Sequence, residues 1–405
     1  MMIFLLFLII LCANYFFYLI PYYHIPRKFN MWDVGNGLII LATIIQLLRN
    51  RNLSILNNVF SWFIFIYLLI IGIQIGLINI IWGQSLIDSF IAIRHQLYYL
   101  SFFLFLLTIN TPDKIRYFIK ILSFLGFFIV IIAIINYFNP GIFYYKWTYG
   151  HGIRGGIKRA FIPGMDIICL LFFWYLSRYI LVHGNINLLW TVFYYFAIIF
   201  RQTRSRIAVG TFVLLSFLLW HRKFKYLITL LCAFAFIISI ITLVAGENIL
   251  FYNFKILIHD IWYQQGTWAA RIEQMKVSWE LFKKYPWTGA AAFLRIVEGV
   301  PEEKVGMIIA KTDIGYMAWL KCYGIPGIIW LFLLILIFYL KNFKLLKTIS
   351  LENLDIVYFN LLYFTFVILS FVTLNHFMKP YGILLVCFVL SNTVVLSSIT
   401  EKSKI

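Results

Sequence analysis

The chain has 405 residues, of which 63% are hydrophobic and 12% charged, with a formal net charge of +19. Soluble domains sit near half apolar and a quarter charged, so this composition excludes an ordinary water-soluble protein. Apolar runs of about twenty residues recur and are continuous rather than alternating, which excludes a β-barrel and predicts an all-α, polytopic membrane helical bundle.

In chain order the expected spans number about twelve, over roughly 2–20, 32–48, 59–79, 86–108, 116–137, 163–182, 186–202, 204–220, 226–244, 315–340, 356–375 and 382–400. They form one transmembrane domain, 1–405. No small-residue cleavage site follows the first run, which predicts a retained helix rather than a signal peptide. With both termini cytoplasmic, the inside loops hold Arg49, Arg51, Lys114, Arg116, Lys120, Arg178, Arg222, Lys223, Lys225, Lys341, Lys344, Lys347, Lys402 and Lys404. The basic charge therefore reads as topology, with membrane lipids as surroundings and no nucleic acid as partner. Cys12, Cys169, Cys232, Cys322 and Cys387 are isolated and mostly in apolar runs, and the histidines are scattered, so no metal site or cofactor is expected.

Some cations stand against the topological signal. Lys146, Arg154, Lys158 and Arg159 precede the sixth span, within Gly155-Gly156-Ile157-Lys158-Arg159-Ala160-Phe161-Ile162-Pro163-Gly164 for the last two. Arg201-Gln202-Thr203-Arg204-Ser205-Arg206 joins the seventh and eighth spans. Leu188 to Phe200 and Ile207 to Trp220 are each too short to cross alone, since a span needs about twenty residues. The turn is therefore drawn into the outer leaflet. A charge inside a membrane costs at least about 2.5 kcal/mol and points to function. Thr203 and Ser205 are good N-caps, and arginines beside a helix N-terminus suit a phosphate or pyrophosphate. Headgroup contact and snorkelling are the competing reading.

The one large external loop, 246–314, carries an expected amphipathic helix. Trp268, Ile272, Met275, Trp279 and Phe282 make its apolar stripe; Glu273, Lys276, Glu280, Lys283 and Lys284 lie opposite, and Pro286 with Gly289 ends it. Arg271 flanks the stripe with no acid one turn away. Asp313 closes the loop ahead of Gly315-Tyr316 and Gly324-Ile325-Pro326-Gly327. It could cap a helix, pair with an arginine or act as a base. Asp88, Arg94 and His95 form an internal polar set, read as structural.

In order, these pieces resemble the O-antigen ligase and polymerase superfamily of bacterial envelope glycosyltransferases. Arg159 to Gly164 is similar to an arginine-bearing helix start. Thr203-Arg204-Ser205-Arg206 resembles Thr-Gly-Ser-Arg, with Arg204 in place of glycine. Arg271 through Trp279, Tyr285-Pro286-Trp287 and Gly289 resembles the family's arginine helix, and Tyr316 to Gly327 its following span. The resemblance covers about 150–340. Ligases usually carry a histidine near Thr312 and Asp313; the Asp-x-Gly-Tyr present here is closer to repeat-unit polymerases.

The resemblance implies a metal-independent glycosyltransferase of the bacterial inner membrane, its site facing the periplasm or cell exterior. The donor would be a glycan on undecaprenyl pyrophosphate and the acceptor a glycan or lipid-linked glycan, with a chain-length regulator protein as a further candidate partner. Arg206 and Arg271 would hold the pyrophosphate, supported by Arg159, Arg204, Lys158 and Tyr316. Asp313 would be a base or an arginine partner. A ligase to lipid A core is the alternative. A flippase of an anionic lipid-linked sugar is the second, disfavoured because the cations cluster at the interface and no matching halves are found.

Overall fold

The computed structural model describes residues 2–19, 30–50, 54–139, 153–154, 157–158, 162, 164–182, 184–201, 203–220, 228–229, 239, 266–290 and 314–402. They form helices α1 (Met2–Ala13), α2 (Met31–Arg49), α3 (Val59–Trp82), α4 (Leu86–Ile93), α5 (Ser101–Thr108), α6 (Pro112–Phe138), α7 (Met165–Val182), α8 (Asn185–Phe200), α9 (Arg204–Trp220), α10 (Gly266–Lys284), α11 (Gly315–Thr348), α12 (Leu354–Ser370) and α13 (Pro380–Lys402). The only strands among them are a two-residue ribbon pairing Ile153 with Lys158 and Arg154 with Ile157.

The protein is a polytopic, helical membrane protein. Eight helical segments among the described residues are long and apolar enough to cross a bilayer, with α4, α5 and the 3-10 stretch between them forming one. The expected count of twelve is thus not reached there. The run 226–244 lies largely outside the described residues, and α1, α8 and α9 are short. At 1.5 Å per residue the 16 residues of α8 reach about 24 Å and the 17 of α9 about 26 Å, against a hydrocarbon core of about 30 Å.

Helices start where their capping chemistry sits. Asn30 and Asp33 form a reciprocal capping box at α2, and Thr111 with Pro112 opens α6. The bundle is organised around α13 and α7, whose apolar windows are 83% and 78% buried; α3 is only 28% buried and turns Trp62, Phe65, Leu69 and Ile73 outward, as a lipid-facing helix does. Polar side chains tie the centre together. Asn342 of α11 donates to Thr393 of α13 at 3.1 Å, and Asn392 donates to Asn360 of α12 at 3.3 Å. Such bonds are the available glue where the surrounding lipid is as apolar as leucine.

One end of the bundle is defined by ion pairs. Arg116, near the start of α6, contacts Asp355 at 3.1 Å, and Arg178, near the end of α7, lies 3.9 Å from the same carboxylate. Lys341, Lys344, Thr400 and Glu401 line one cleft between the ends of α11 and α13. The opposite end gathers the end of α1 and the starts of α2, α7, α9 and α13.

Two sequence motifs pack on each other. The turn after α10 docks into a kink of α11 at Gly324, where φ is 61° and ψ −158°. Ile325 N–H donates to Pro286 O at 2.8 Å, and Ala290 N–H to Lys321 O at 2.9 Å. Gln74 of α3 donates to both Cys322 O and Thr288 O. A Cβ on Gly289 would fall 2.1 Å from Cys322 O, and one on Gly324 2.3 Å from Pro286 O. Both glycines are therefore required by close backbone approach.

Along α10, Trp268, Ile272, Met275 and Phe282 of the expected stripe are half-buried and Glu273, Lys276, Glu280, Lys283 and Lys284 are exposed, but Trp279 departs from it. Ser278, Leu281 and Tyr285 are buried, and Trp279 is 45% exposed. The helix is seated by its C-terminal turns over the α11 kink, so a serine faces the protein and a tryptophan does not. Glu280 and Lys283 do pair, at 2.8 Å. Arg94 pairs with Asp33 of α2 at 2.6 Å, a structural link across 61 residues of chain that the grouping with Asp88 did not anticipate.

Candidate anion-binding site

At the end opposite the Arg116–Asp355 pairs, α9 begins at Arg204. Thr203 takes the N-cap position, and its carbonyl receives Ile207 N–H at 3.1 Å. Arg206 therefore leaves the first turn of α9. Its Nη2 donates to Asp166 Oδ1 at 2.7 Å, with Asp166 only 3% and Arg206 13% exposed. Asp166 lies in the first turn of α7, where a carboxylate is favoured by the helix N-terminus. Arg206 Nε is buried with no hydrogen-bond partner among the described residues, so the guanidinium keeps donor capacity beyond the acid.

The pair opens onto a cavity of about 300 Å³, lined among others by Arg201, Lys379, Tyr381, Tyr15 and Trp32. Lys379 stands immediately before α13, and its carbonyl receives Ile383 N–H at 2.9 Å. Three cations thus face one cavity whose single carboxylate is already engaged. The arrangement is chemically suited to an anion with more than one negative charge: planar bidentate donors from arginine and a point charge from lysine.

Behind Asp166 lies His376, 2% exposed, with Nδ1 3.7 Å from Asp166 Oδ1 and Nε2 2.8 Å from Ser370 Oγ. Burial pushes its imidazole down to about 4, and the Asp166 carboxylate opposes that shift while Arg206 and Lys379 add to it. The folded state thus binds fewer protons than the unfolded chain between about pH 6.5 and 4. The stability this contributes is full above pH 6.5 and is lost as pH falls towards 4. Melting the purified protein at pH 7.5 and 5 should show a loss of about 2 kcal/mol from this group, which His376→Gln removes.

The expected site residues separate as follows. Of them Arg206 lines the cavity, and Arg201, which was not among the expected ligands, lines it too. Arg204 is half-buried on α9 and is not among the lining residues; Arg271 is half-buried on α10. The Tyr316 hydroxyl donates to Ile368 O at 2.8 Å, and its ring packs edge-on against Phe371 at 4.8 Å, joining the start of α11 to the end of α12. Lys158 is described only in its backbone. Arg159 and Asp313 lie outside the described residues. Asp166, Lys379, Tyr381 and His376 were not anticipated. For Asp166 a signal existed: an acid within an apolar run is expected to have a partner.

A family model described as O-Antigen ligase matches residues 188–332. The match covers 145 of the 405 residues, and this stretch is similar to an O-antigen ligase domain. The domain runs from α8 past the α11 kink. It contains Arg201, Arg204, Arg206, Arg271 and the Gly289–Gly324 dock, while Asp166, Lys379 and His376 stand outside it. Its arginine is thus completed by the flanking helices α7 and α13. Members of the family are membrane glycosyltransferase-like ligases and polymerases, and the family implies lipid-linked glycan substrates. A comparison with curated proteins returns no match.

Proposed function

We propose that the protein polymerises oligosaccharide repeat units carried on undecaprenyl pyrophosphate, at the outer face of a bacterial inner membrane. The observation that carries this reading is the convergence of Arg206, Arg201 and Lys379 on one cavity at the ends of short helices. A lipid-linked pyrophosphate is a multiply charged anion of the kind such a cavity suits.

An acceptor hydroxyl attacks the anomeric carbon of the donor. The bond from that carbon to the pyrophosphate oxygen breaks, and the electron pair leaves with the carrier lipid. Arg206 stabilises the charge developing on the leaving oxygen, so the cations do the work a metal does elsewhere. Asp166 fixes the guanidinium plane. The hydroxyl proton passes to a base, for which Asp313 is our candidate, and Arg271 approaches the same pyrophosphate from α10. Arg159, Lys158, Arg204 and Tyr316 complete the proposed substrate set.

The family description favours a second reading, a ligase to lipid A core. The absence of a histidine beside Thr312 and Asp313 favours the polymerase. A chain-length assay in a strain lacking the gene separates them. The polymerase reading expects single repeat units on the acceptor; long chains stranded on the carrier lipid would establish the ligase instead.

A further inference from the structure

The cavity has an aromatic wall as well as a cationic one. Tyr15 and Trp32 both line it, with ring centroids 5.0 Å apart and planes at 48°. Trp32 Nε1 donates to Ala13 O at 3.1 Å, which satisfies its one polar group and leaves the indole as an apolar surface.

The backbone that presents Tyr15 is strained. Tyr15, Phe16 and Phe17 have φ of 52°, 49° and 53°, a left-handed turn made of three bulky aromatic residues. Such conformations cost free energy and persist where the surroundings enforce them. Here the enforcement is visible. Phe17 is 3% exposed and packs on Gly164, where a Cβ would sit 2.5 Å from its ring. Gly164 itself has φ of 66° and stands two residues before Asp166. The same glycine therefore anchors the aromatic turn and starts the helix that holds the Arg206 partner.

We propose that Tyr15 and Trp32 form a subsite for the pyranose ring attached directly to the bound pyrophosphate. This rests on the reading of the cavity as a pyrophosphate site and adds its sugar-recognising half. Pyranose C–H bonds carry partial positive charge, and an aromatic face carries negative charge, so a sugar ring lies flat on such a wall. A bare phosphate has no use for it. The wall would sense the first sugar of each donor, making these two residues determinants of donor specificity.

The test uses two probes of equal charge, the methyl ester of farnesyl pyrophosphate (the bare probe) and its N-acetylglucosaminyl ester, and measures the Kd of each for the full-length protein in detergent. Wild type should bind the sugar-bearing probe about fivefold more tightly than the bare one. Trp32→Ala should abolish that difference while still binding the bare probe, and Trp32→Phe should keep most of it. Arg206→Ala should weaken both probes. Wild type that does not distinguish the probes, or Trp32→Ala that weakens both equally, overturns the subsite. Arg206→Ala that leaves both unchanged overturns the anion site instead.

Discussion

Arg206→Ala should reduce glycan transfer by about a thousandfold, the scale seen when a donor to developing negative charge is removed. Arg206→Lys should recover little of it, because an ammonium keeps the charge but not the planar fork that grips Asp166 and a phosphate together. The alanine variant carries a second consequence. It leaves Asp166, 3% exposed, buried without its partner, which costs about 3–5 kcal/mol in comparable buried pairs. Lost activity could then reflect lost protein. The double variant Arg206→Ala/Asp166→Asn separates the two. It removes the orphaned charge, so the melting temperature and membrane level should return towards wild type while transfer stays absent. Full transfer by Arg206→Ala would remove it from the mechanism.

Gly324→Ala and Gly289→Ala should each destabilise the protein by about 3 kcal/mol or more, although neither residue lines the cavity. Gly324 occupies backbone geometry that is essentially glycine-only, and the added Cβ at either position would strike main-chain atoms rather than a side chain that can turn away. The α10 turn should detach from the α11 kink, carrying Arg271 with it. Protease nicking between α10 and α11, with loss of transfer, is the readout. Gly37→Ala and Gly72→Ala provide the contrast. They sit on helices with nothing within 4 Å of the added carbon, so stability should hold or rise slightly.

These glycines also show what sequence could and could not reveal. Pro286 to Gly289 and Gly324 to Gly327 stood out because glycine and proline punctuate helices. That the two motifs serve each other was not readable, since close backbone approach leaves no trace in side-chain pattern. The membrane class followed from composition, and Arg206 from charge set against span length. Its partner did not follow. No acid stands near Arg201–Arg206 along the chain, and Asp166 is forty residues earlier on another helix. At Ser278 and Trp279 the seating of α10 departs from the stripe for a related reason. Hydrophobic periodicity assumes a helix buried along its side, whereas α10 rests on its C-terminal turns, with Ser278 inside and Trp279 outside.

In the proposed mechanism a carrier-lipid pyrophosphate leaves against these cations. Purified protein, donor and acceptor should be mixed with excess chelator, and the lipid product of a single turnover identified by mass spectrometry. Intact undecaprenyl pyrophosphate should form, at an unchanged rate. Undecaprenyl monophosphate with a phosphorylated glycan, or no product until a divalent metal is restored, would contradict it.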